Sequence, residues 1–477
     1  MCVYFGLFAL MTNLAVKRLR VPLMLAAPVA WVACEYLRAF VLTGFPWLFL
    51  AHTQYAFLPL IQISDITGAY GVSFVIVLVN AFIAEVVLRF IARKRYRKLD
   101  ARGLLPRAIC LAAVFALVLV YGFARLGAIR GKMKEGPRVL LIQPNVAQYL
   151  KRERESRRTL TGDIETLTDT ALEKARKENR EPDMIVWPET MIQPGPDCSP
   201  DCTAGWSRKV RERGCHFLAG GTYVRNEPHV YRYWNPRTNQ WEEHEDDVTD
   251  WHNSAYFFTA DGKLEGRYDK IHLVPFGEFV PLGNIFPFMD DVILQSAGFV
   301  RDLKGGEGIT FFEMTDAGGN PYTFSTPICY EVGFPDLFAS FVEEGGEKKA
   351  DFIVNISNDG WFHESAELEQ TTAMAAFRAV ENRVGVIRAT NTGISAFIRP
   401  DGFFSWENDV LKDEHGRMKS VQGFLLRRVY VCDDLSIYSR VKDVFAIVML
   451  ALSGAALLAS FILRGSSKAR NSRTHPR

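Results

Sequence analysis

The 477 residues suffice for roughly three domains, and a formal net charge of +2 with histidines neutral argues against a nucleic-acid binder. A mean hydropathy of zero averages strongly apolar ends with a charged middle, residues 137–434, which can bury one large core of ordinary globular composition. In chain order, residues 5–16 form a short apolar stretch followed by Lys17, Arg18 and Arg20, the wrong order for a cleaved signal peptide and readable as a short first span of a bundle. Residues 21–41, 70–88, 107–123 and 444–463 each approach the ~20 apolar residues a bilayer requires. Residues 45–63, interrupted by Trp, Pro and Phe, suit an interfacial or re-entrant stretch.

Arg89, Arg93, Lys94, Arg95, Arg97, Lys98, Arg102 and Arg107 crowd one loop between spans. Basic loops resist translocation, so this loop is expected on the cytoplasmic side, with Lys17 to Arg20 and the tail from Arg464 to Arg470. The large middle then faces outward, although Arg125, Arg130, Lys132 and Lys134 dissent mildly. The expected organisation is a transmembrane helical region at 1–132, a domain at 136–434, a C-terminal transmembrane helix at 440–464 and a basic cytoplasmic tail at 465–477.

Within the middle, apolar runs at 138–143, 184–187, 322–328, 352–356 and 384–389 read as strands, and 164–177, 334–343 and 369–382 have helical spacing. Runs at 253–259 and 263–268 flank Asp261-Gly262, a hairpin signal. Strands alternating with helices predict a layered α/β domain. Of the eight cysteines, Cys2, Cys34 and Cys110 lie in or near spans as packing residues, while Cys198 and Cys202 share a Pro/Gly/Asp-rich loop where an outward domain would let them oxidise. A bridge between those two and one to Cys215 both remain open. No CxxC or HExxH set appears, so no metal is expected.

Three reactive groups stand at the ends of apolar strands: Glu189 in Val186-Trp-Pro-Glu-Thr190, Lys270 after Tyr268-Asp, and Cys329 in Thr326-Pro-Ile-Cys-Tyr-Glu331. A thiol needs a base to become a thiolate, and a cation to hold the oxyanion formed when it attacks a carbonyl. Each alone is more often a turn residue, a rim ion pair or a core thiol. Together, with no rival G-x-S-x-G, they point to chemistry.

These runs, with Asn358-Asp-Gly-Trp361 and Arg388-Ala-Thr-Asn-Thr-Gly-Ile-Ser395, resemble the nitrilase superfamily of carbon-nitrogen hydrolases. Leu273-Val-Pro-Phe-Gly-Glu-Phe-Val-Pro281, Thr43-Gly-Phe-Pro-Trp47 and Thr67-Gly-Ala-Tyr-Gly-Val-Ser-Phe74 are more specifically similar to the apolipoprotein N-acyltransferase family. The resemblance implies a membrane α-helical bundle carrying an α-β-β-α sandwich. Glu189 would be the base, Lys270 the oxyanion-stabilising cation and Cys329 the nucleophile. Glu278 would support the triad, Tyr330 and Glu331 would shape the pocket, and the Tyr330 amide would be a second oxyanion donor. It further implies a monomer of the bacterial inner membrane, its catalytic domain in the periplasm, moving a fatty acyl group from a phospholipid donor to a diacylglyceryl lipoprotein acceptor without a cofactor.

Two departures stand out. The family's Gln-Gly-Asn run is Gln143-Pro-Asn145 here, and Lys151 precedes Arg152 rather than Trp, leaving Tyr149 as a possible substitute. Fewer spans precede Trp31 than in the family. The insertion at 228–251, with Tyr231, Tyr233, Trp234, Trp241 and Trp251, is unusually aromatic for a loop and would contact lipid or pack on the domain edge. The competing reading is a membrane-tethered amidase or nitrilase of a small soluble substrate.

Overall fold

The computed structural model describes residues 2–96, 103–147, 154–235, 240–279, 281 and 303–473, and of 42, 92–96, 154–158, 226–235, 240–249 and 464–473 only the backbone. Tyr149, Lys151 and Arg152 lie outside the described residues, as do Arg97, Lys98 and Arg102 of the basic loop and the side chains of Tyr231, Tyr233, Trp234 and Trp241.

Helices α1 (Cys2–Arg18) and α2 (Leu23–Phe40) open the chain, followed by the single turns α3 (Leu58–Ile61) and α4 (Ser64–Thr67) and the long α5 (Ala69–Tyr96) and α6 (Leu104–Arg130). Among the described residues four helices are long and apolar enough to cross a membrane: Leu23–Phe40, Ala69–Ile91, Leu104–Arg130 and Val444–Leu463. Small side chains on α2 let its neighbours approach closely: Ala30 and Ala33 cluster with Met11 of α1, and Ala27 with Val77 and Ala81 of α5. Polar groups at this depth need partners. Glu85 accepts the Met24 amide at 3.2 Å and pairs with Arg107 at 2.5 Å, joining α2, α5 and α6. Glu35 accepts the Leu50 amide at 2.8 Å, and Arg38 reaches the Leu48 carbonyl at 3.5 Å, so both are directed at the irregular stretch after α2.

The middle of the chain builds two facing sheets. One has the order β13-β1-β2-β3-β4-β5, from β1 (Lys134–Gln143), β2 (Met184–Ile192), β3 (His216–Asn235), β4 (Gln240–Phe258), β5 (Leu264–Asp269) and β13 (Gly423–Val431). The other runs β12-β11-β10-β7-β6, from β6 (Phe311–Thr315), β7 (Pro321–Ser325), β10 (Phe352–Ser357), β11 (Gly385–Thr390) and β12 (Ala396–Ile398). A two-stranded turn, β8 (Glu343–Glu344) with β9 (Glu347–Lys348), stands apart. The period-2 alternation of strands sorts the side chains. Val139, Leu141, Met184 and Val186 face the second sheet, while Leu140, Ile142, Ile185 and Trp187 pack under α7 (Arg154–Lys177) and α8 (Pro200–Arg213). After the one-turn α9 (Pro335–Ser340), helix α10 (Glu367–Asn382) covers the second sheet through Leu368, Ala375, Ala376 and Ala379. The result is an α-β-β-α sandwich.

Two sequence expectations change, and the open question of the cysteines is answered. The 228–251 insertion is no loop: β3 and β4 stay paired from Phe217↔Phe258 out to Asn235↔Gln240. Its alternating Tyr, Trp and Val residues have the β-propensity to extend a hairpin despite Pro228. β2 runs on to Ile192, which puts Glu189 inside the strand rather than beyond its end. All eight cysteines are free thiols, with Cys198 and Cys202 sulfurs 2.7 Å apart and Cys215 buried elsewhere.

The sandwich is bolted to the bundle. β13 lies antiparallel to β1 and leaves through α11 (Ile437–Val441) to α12 (Val444–Arg473), with Lys132 bound to Asp434 at 2.8 Å and Lys134 to Asp433 at 2.7 Å. Phe377 and Val380 of α10 pack among Phe49, Leu60, Ile61 and Tyr70 of the membrane part. Beneath them Asp65 receives Arg383 at 2.6 Å, Arg125 at 2.7 Å and the Tyr121 hydroxyl at 2.7 Å, and Arg383 also donates to Gln62 at 2.7 Å. Arg383 is fully buried, so removing its counter-charge leaves an uncompensated ion. Asp65→Ala is expected to destabilise the protein by about 3–5 kcal/mol, read as loss of thermal stability in detergent against wild type.

Candidate active site

Glu189 owes its place to a bulge. Pro188 has no amide to donate, Thr190 takes φ 56°, and the β2–β3 register shifts between Trp187 and Ile192. Gly220 opposite makes room, because a Cβ there would lie 2.6 Å from the Glu189 Cα. Lys270 follows β5, its amide fixed to the Asn253 carbonyl at 2.8 Å. Cys329 opens a 3-10 turn after β7 with φ 52°, a left-handed conformation costly for a residue with a Cβ.

Glu331 holds that turn in place. Its carboxylate accepts the Ile328 amide at 2.7 Å, the Ile271 and His272 amides at 2.9 and 3.0 Å, and the Tyr268 hydroxyl at 2.8 Å. One fully buried side chain thus ties the cysteine turn to the segment bearing Lys270. Burial pushes its pKa up to about 7 against the pull of those donors. Glu331 acts on the backbone, so its part in shaping the pocket is indirect.

Lys270 Nζ lies 2.9 Å from Glu278 and 4.0 Å from Glu189. Asn253 Nδ2 bridges the two carboxylates, 2.6 Å to Glu189 and 2.9 Å to Glu278, and the Val274 amide donates to Glu278 at 2.8 Å. Burial alone would lower the Lys270 pKa. The negative charges of Glu278, Cys329 and Glu189 outweigh it, so the pKa is raised and the ammonium persists. The Cys329 pKa is also raised, by burial first and then by the charge of Glu189, with Lys270 pulling the other way. Burial and the Glu189 carboxylate thus favour the protonated thiol, and the Lys270 ammonium opposes them. Among the described residues no group of three or more His, Cys, Asp or Glu is placed to hold a metal.

The membrane part reaches into this site. The Tyr330 hydroxyl donates to the Gly44 carbonyl at 3.3 Å, and Gly44 takes φ 83° with no room for a Cβ, which would meet the Ala39 oxygen at 2.0 Å. Trp47 stacks on Tyr330 at 6.2 Å and on Phe362 at 6.0 Å, and its indole N–H donates to Gln370 at 2.9 Å. Exposed Phe45 and Phe362 both stack on Trp47, at 6.1 and 6.0 Å, an aromatic cluster of the kind that suits a membrane interface. A cleft of about 330 Å³, lined by Leu48, His52, Tyr55, Gln370 and Ala373, lies where this segment meets α10.

The charges of Glu189 and Lys270 reach Cys329, Glu278 meets Lys270, and Tyr330 and Glu331 follow Cys329 in its turn. Sequence reasoning misses Asn253, since a single Asn at the start of a strand carries no local signal. It also leaves Trp47 in the membrane part without a link to the thiol, a link that only the tertiary fold makes.

Residues 1–82 match a family model described as the apolipoprotein N-acyltransferase N-terminal domain, and residues 156–412 match the carbon-nitrogen hydrolase model. The chain is 32% identical over 447 residues to a protein of Geobacter metallireducens named apolipoprotein N-acyltransferase, covering 94% of this chain and 75% of that one. It is 30% identical to apolipoprotein N-acyltransferase 1 of Treponema denticola, covering 78% and 66%, and 28% identical to the Bradyrhizobium diazoefficiens protein of that name, covering 91% and 73%. The chain thus spans between two thirds and three quarters of these relatives' lengths. An amidase from Nesterenkonia sp. superposes with TM-score 0.37 at 16% identity, over 64% of this chain and 93% of that one. Sharing about a third of its residues with the Geobacter protein across nearly its whole length, and matching the family at both the membrane and the sandwich end, the chain belongs to the apolipoprotein N-acyltransferase family.

Proposed function

We propose that the chain moves a fatty acyl group from a phospholipid, through a thioester on Cys329, to the N-terminal amine of a diacylglyceryl-cysteine lipoprotein. The observation that carries this reading is the Cys329 thiol within reach of the charges of the Glu189 carboxylate and the buried Lys270 ammonium, at a site partly walled by residues 44–47 of the membrane part. Substrates that live in a bilayer can enter such a site laterally. Glu189 takes the thiol proton as sulfur attacks the donor's ester carbonyl, and the carbonyl π pair moves to oxygen, held by Lys270 Nζ and the Tyr330 amide. Collapse breaks the C–O bond, and Glu189 returns its proton to the leaving glycerol oxygen. In the second half the lipoprotein amine attacks the thioester, Glu189 accepts an amine proton, and collapse releases the amide and gives the proton back to sulfur. A thioester is energetic enough to acylate an amine, and apolar walls shelter it from water. Glu278 and Asn253 are positioning groups in this scheme, holding Lys270 and Glu189 at their separation.

Intact-mass analysis tests the first half. Incubation with phospholipid should add the mass of one fatty acyl group to the wild type and release lysophospholipid, and a diacylated lipopeptide with a free amine should then remove the adduct. No adduct, or ammonia released from small amides without lipid, would favour the hydrolase reading instead. Cys329→Ala should abolish transfer without loss of folding. Glu189→Gln can still accept from Asn253 and should fold, yet it cannot take the proton and should not acylate. Lys270→Ala should lose on the order of a hundred- to thousandfold in rate, with a lower melting temperature because Glu278 and Glu189 lose their shared cation.

We further propose that the protein sits in the bacterial inner membrane with the sandwich in the periplasm. The basic residues between α5 and α6 support this orientation, since such loops resist export. A reporter active only after export, fused after residue 150, should be active; activity only from a cytoplasm-specific reporter at that point would reverse the topology.

A further inference from the structure

Two polar runs that enter the family resemblance have no part in the scheme above, and they meet behind the nucleophile. Ile328 bridges Ile356 in parallel, which sets Cys329 beside Ser357 at the end of β10. The Ser357 hydroxyl donates to Asp359 Oδ1 at 2.7 Å. Asp359 Oδ2 is bound by Arg388 Nη2 at 2.5 Å, and Arg388 also donates to Asn355 and to Thr371, each at 2.9 Å. Asn355 in turn donates to the Pro327 carbonyl at 3.0 Å, two residues before the thiol. Gly393 closes against this chain so tightly that a Cβ would meet Asp359 Oδ2 at 1.9 Å. Ser357, Asp359, Arg388, Asn355 and Thr371 are all buried.

Burying five hydrogen-bonded polar side chains is costly unless they are held for a purpose, and a buried thiolate is costly unless something donates to it. We propose that Ser357 is a further catalytic residue: its hydroxyl donates to Asp359 while the thiol is protonated, and turns that proton onto the Cys329 sulfur as the thiolate forms. Only the S–H bond breaks, and its proton goes to Glu189. Ser357 keeps its own proton and exchanges acceptors, while Arg388 retains the Asp359 charge, so no new ion is created on that side. The position of Ser357 against the sulfur works with Lys270 toward a more acidic thiol, opposing burial and the charges of Glu189 and Asp359. The inference rests on Cys329 being the nucleophile, but its first readout, alkylation of the thiol, needs no lipid.

The full-length protein in detergent is alkylated with iodoacetamide across a pH series, and modification of Cys329 is followed by peptide mass. A hydrogen bond to a charged group is worth enough that Ser357→Ala should move the alkylation midpoint up by about one pH unit or more. Acyl-adduct formation should slow roughly ten- to hundredfold with the KM for phospholipid unchanged. Ser357→Thr, which keeps the hydroxyl, should restore the wild-type profile, whereas Ser357→Val, nearly identical in shape to Thr, should behave as Ala does. If Ala does not fold, the Thr and Val pair still isolates the hydroxyl. A wild-type profile in Ala or Val, or a Thr variant as impaired as Val, would overturn the role. A wild type that alkylates as described but forms no acyl adduct would remove the acyl-transfer reading and leave the hydroxyl's effect on the thiol standing.

Discussion

The ammonium of Lys270, taken out of water and shared between Glu278 and Glu189, is the constraint around which the sandwich is organised. An isolated buried cation is untenable, so the carboxylates must be present and held. Glu278 sits at 2.9 Å with its own support from the Val274 amide, and Glu189 stands at 4.0 Å, near enough to sense the charge. Asn253 sets that difference by donating to both. The bulge at Pro188 to Thr190, the glycine at 220 and the length of β4 that delivers Asn253 all follow from placing three groups around one nitrogen.

The same burial governs the thiol. Burial and Glu189 push the Cys329 thiol toward its protonated form, and Lys270 opposes them. Under the proposed scheme, proton removal and attack would then be coupled. The left-handed turn at Cys329 is held by the Ile328 amide donating to Glu331, whose three other hydrogen bonds anchor it to the segment bearing Lys270.

Much of this was legible in the chain itself because the reactive groups follow apolar runs whose periodicity is plain. The membrane spans were readable from length and hydropathy, and the layered α/β middle from alternation of strand and helix patterns. The bulge at Glu189 was not, since it depends on how β2 pairs with β3, and pairing is tertiary. Nor was the long hairpin at 228–251, where aromatic residues that suggested a sticky loop were strand formers waiting for a partner. Family resemblance, rather than spacing, supplied the roles of Glu278, Tyr330 and Glu331. The contribution of residues 44–47 could not be read locally at all, because nearly three hundred residues separate Gly44 from Tyr330.

That long-range contact gives the membrane part a second task beyond anchoring. The sandwich is fastened to the bundle at two levels: a buried ionic junction of Asp65, Arg383 and Arg125, and an aromatic seam of Trp47, Tyr330 and Phe362. The junction buries Arg383 with Asp65, and it lies at the C-terminal end of α10, the helix whose first turns bear Gln370, the partner of Trp47. Holding one end of that helix to the bundle fixes the other end against the site. Under the proposed function, a bilayer substrate would therefore meet a thiol whose place relative to the membrane helices is set by the fold.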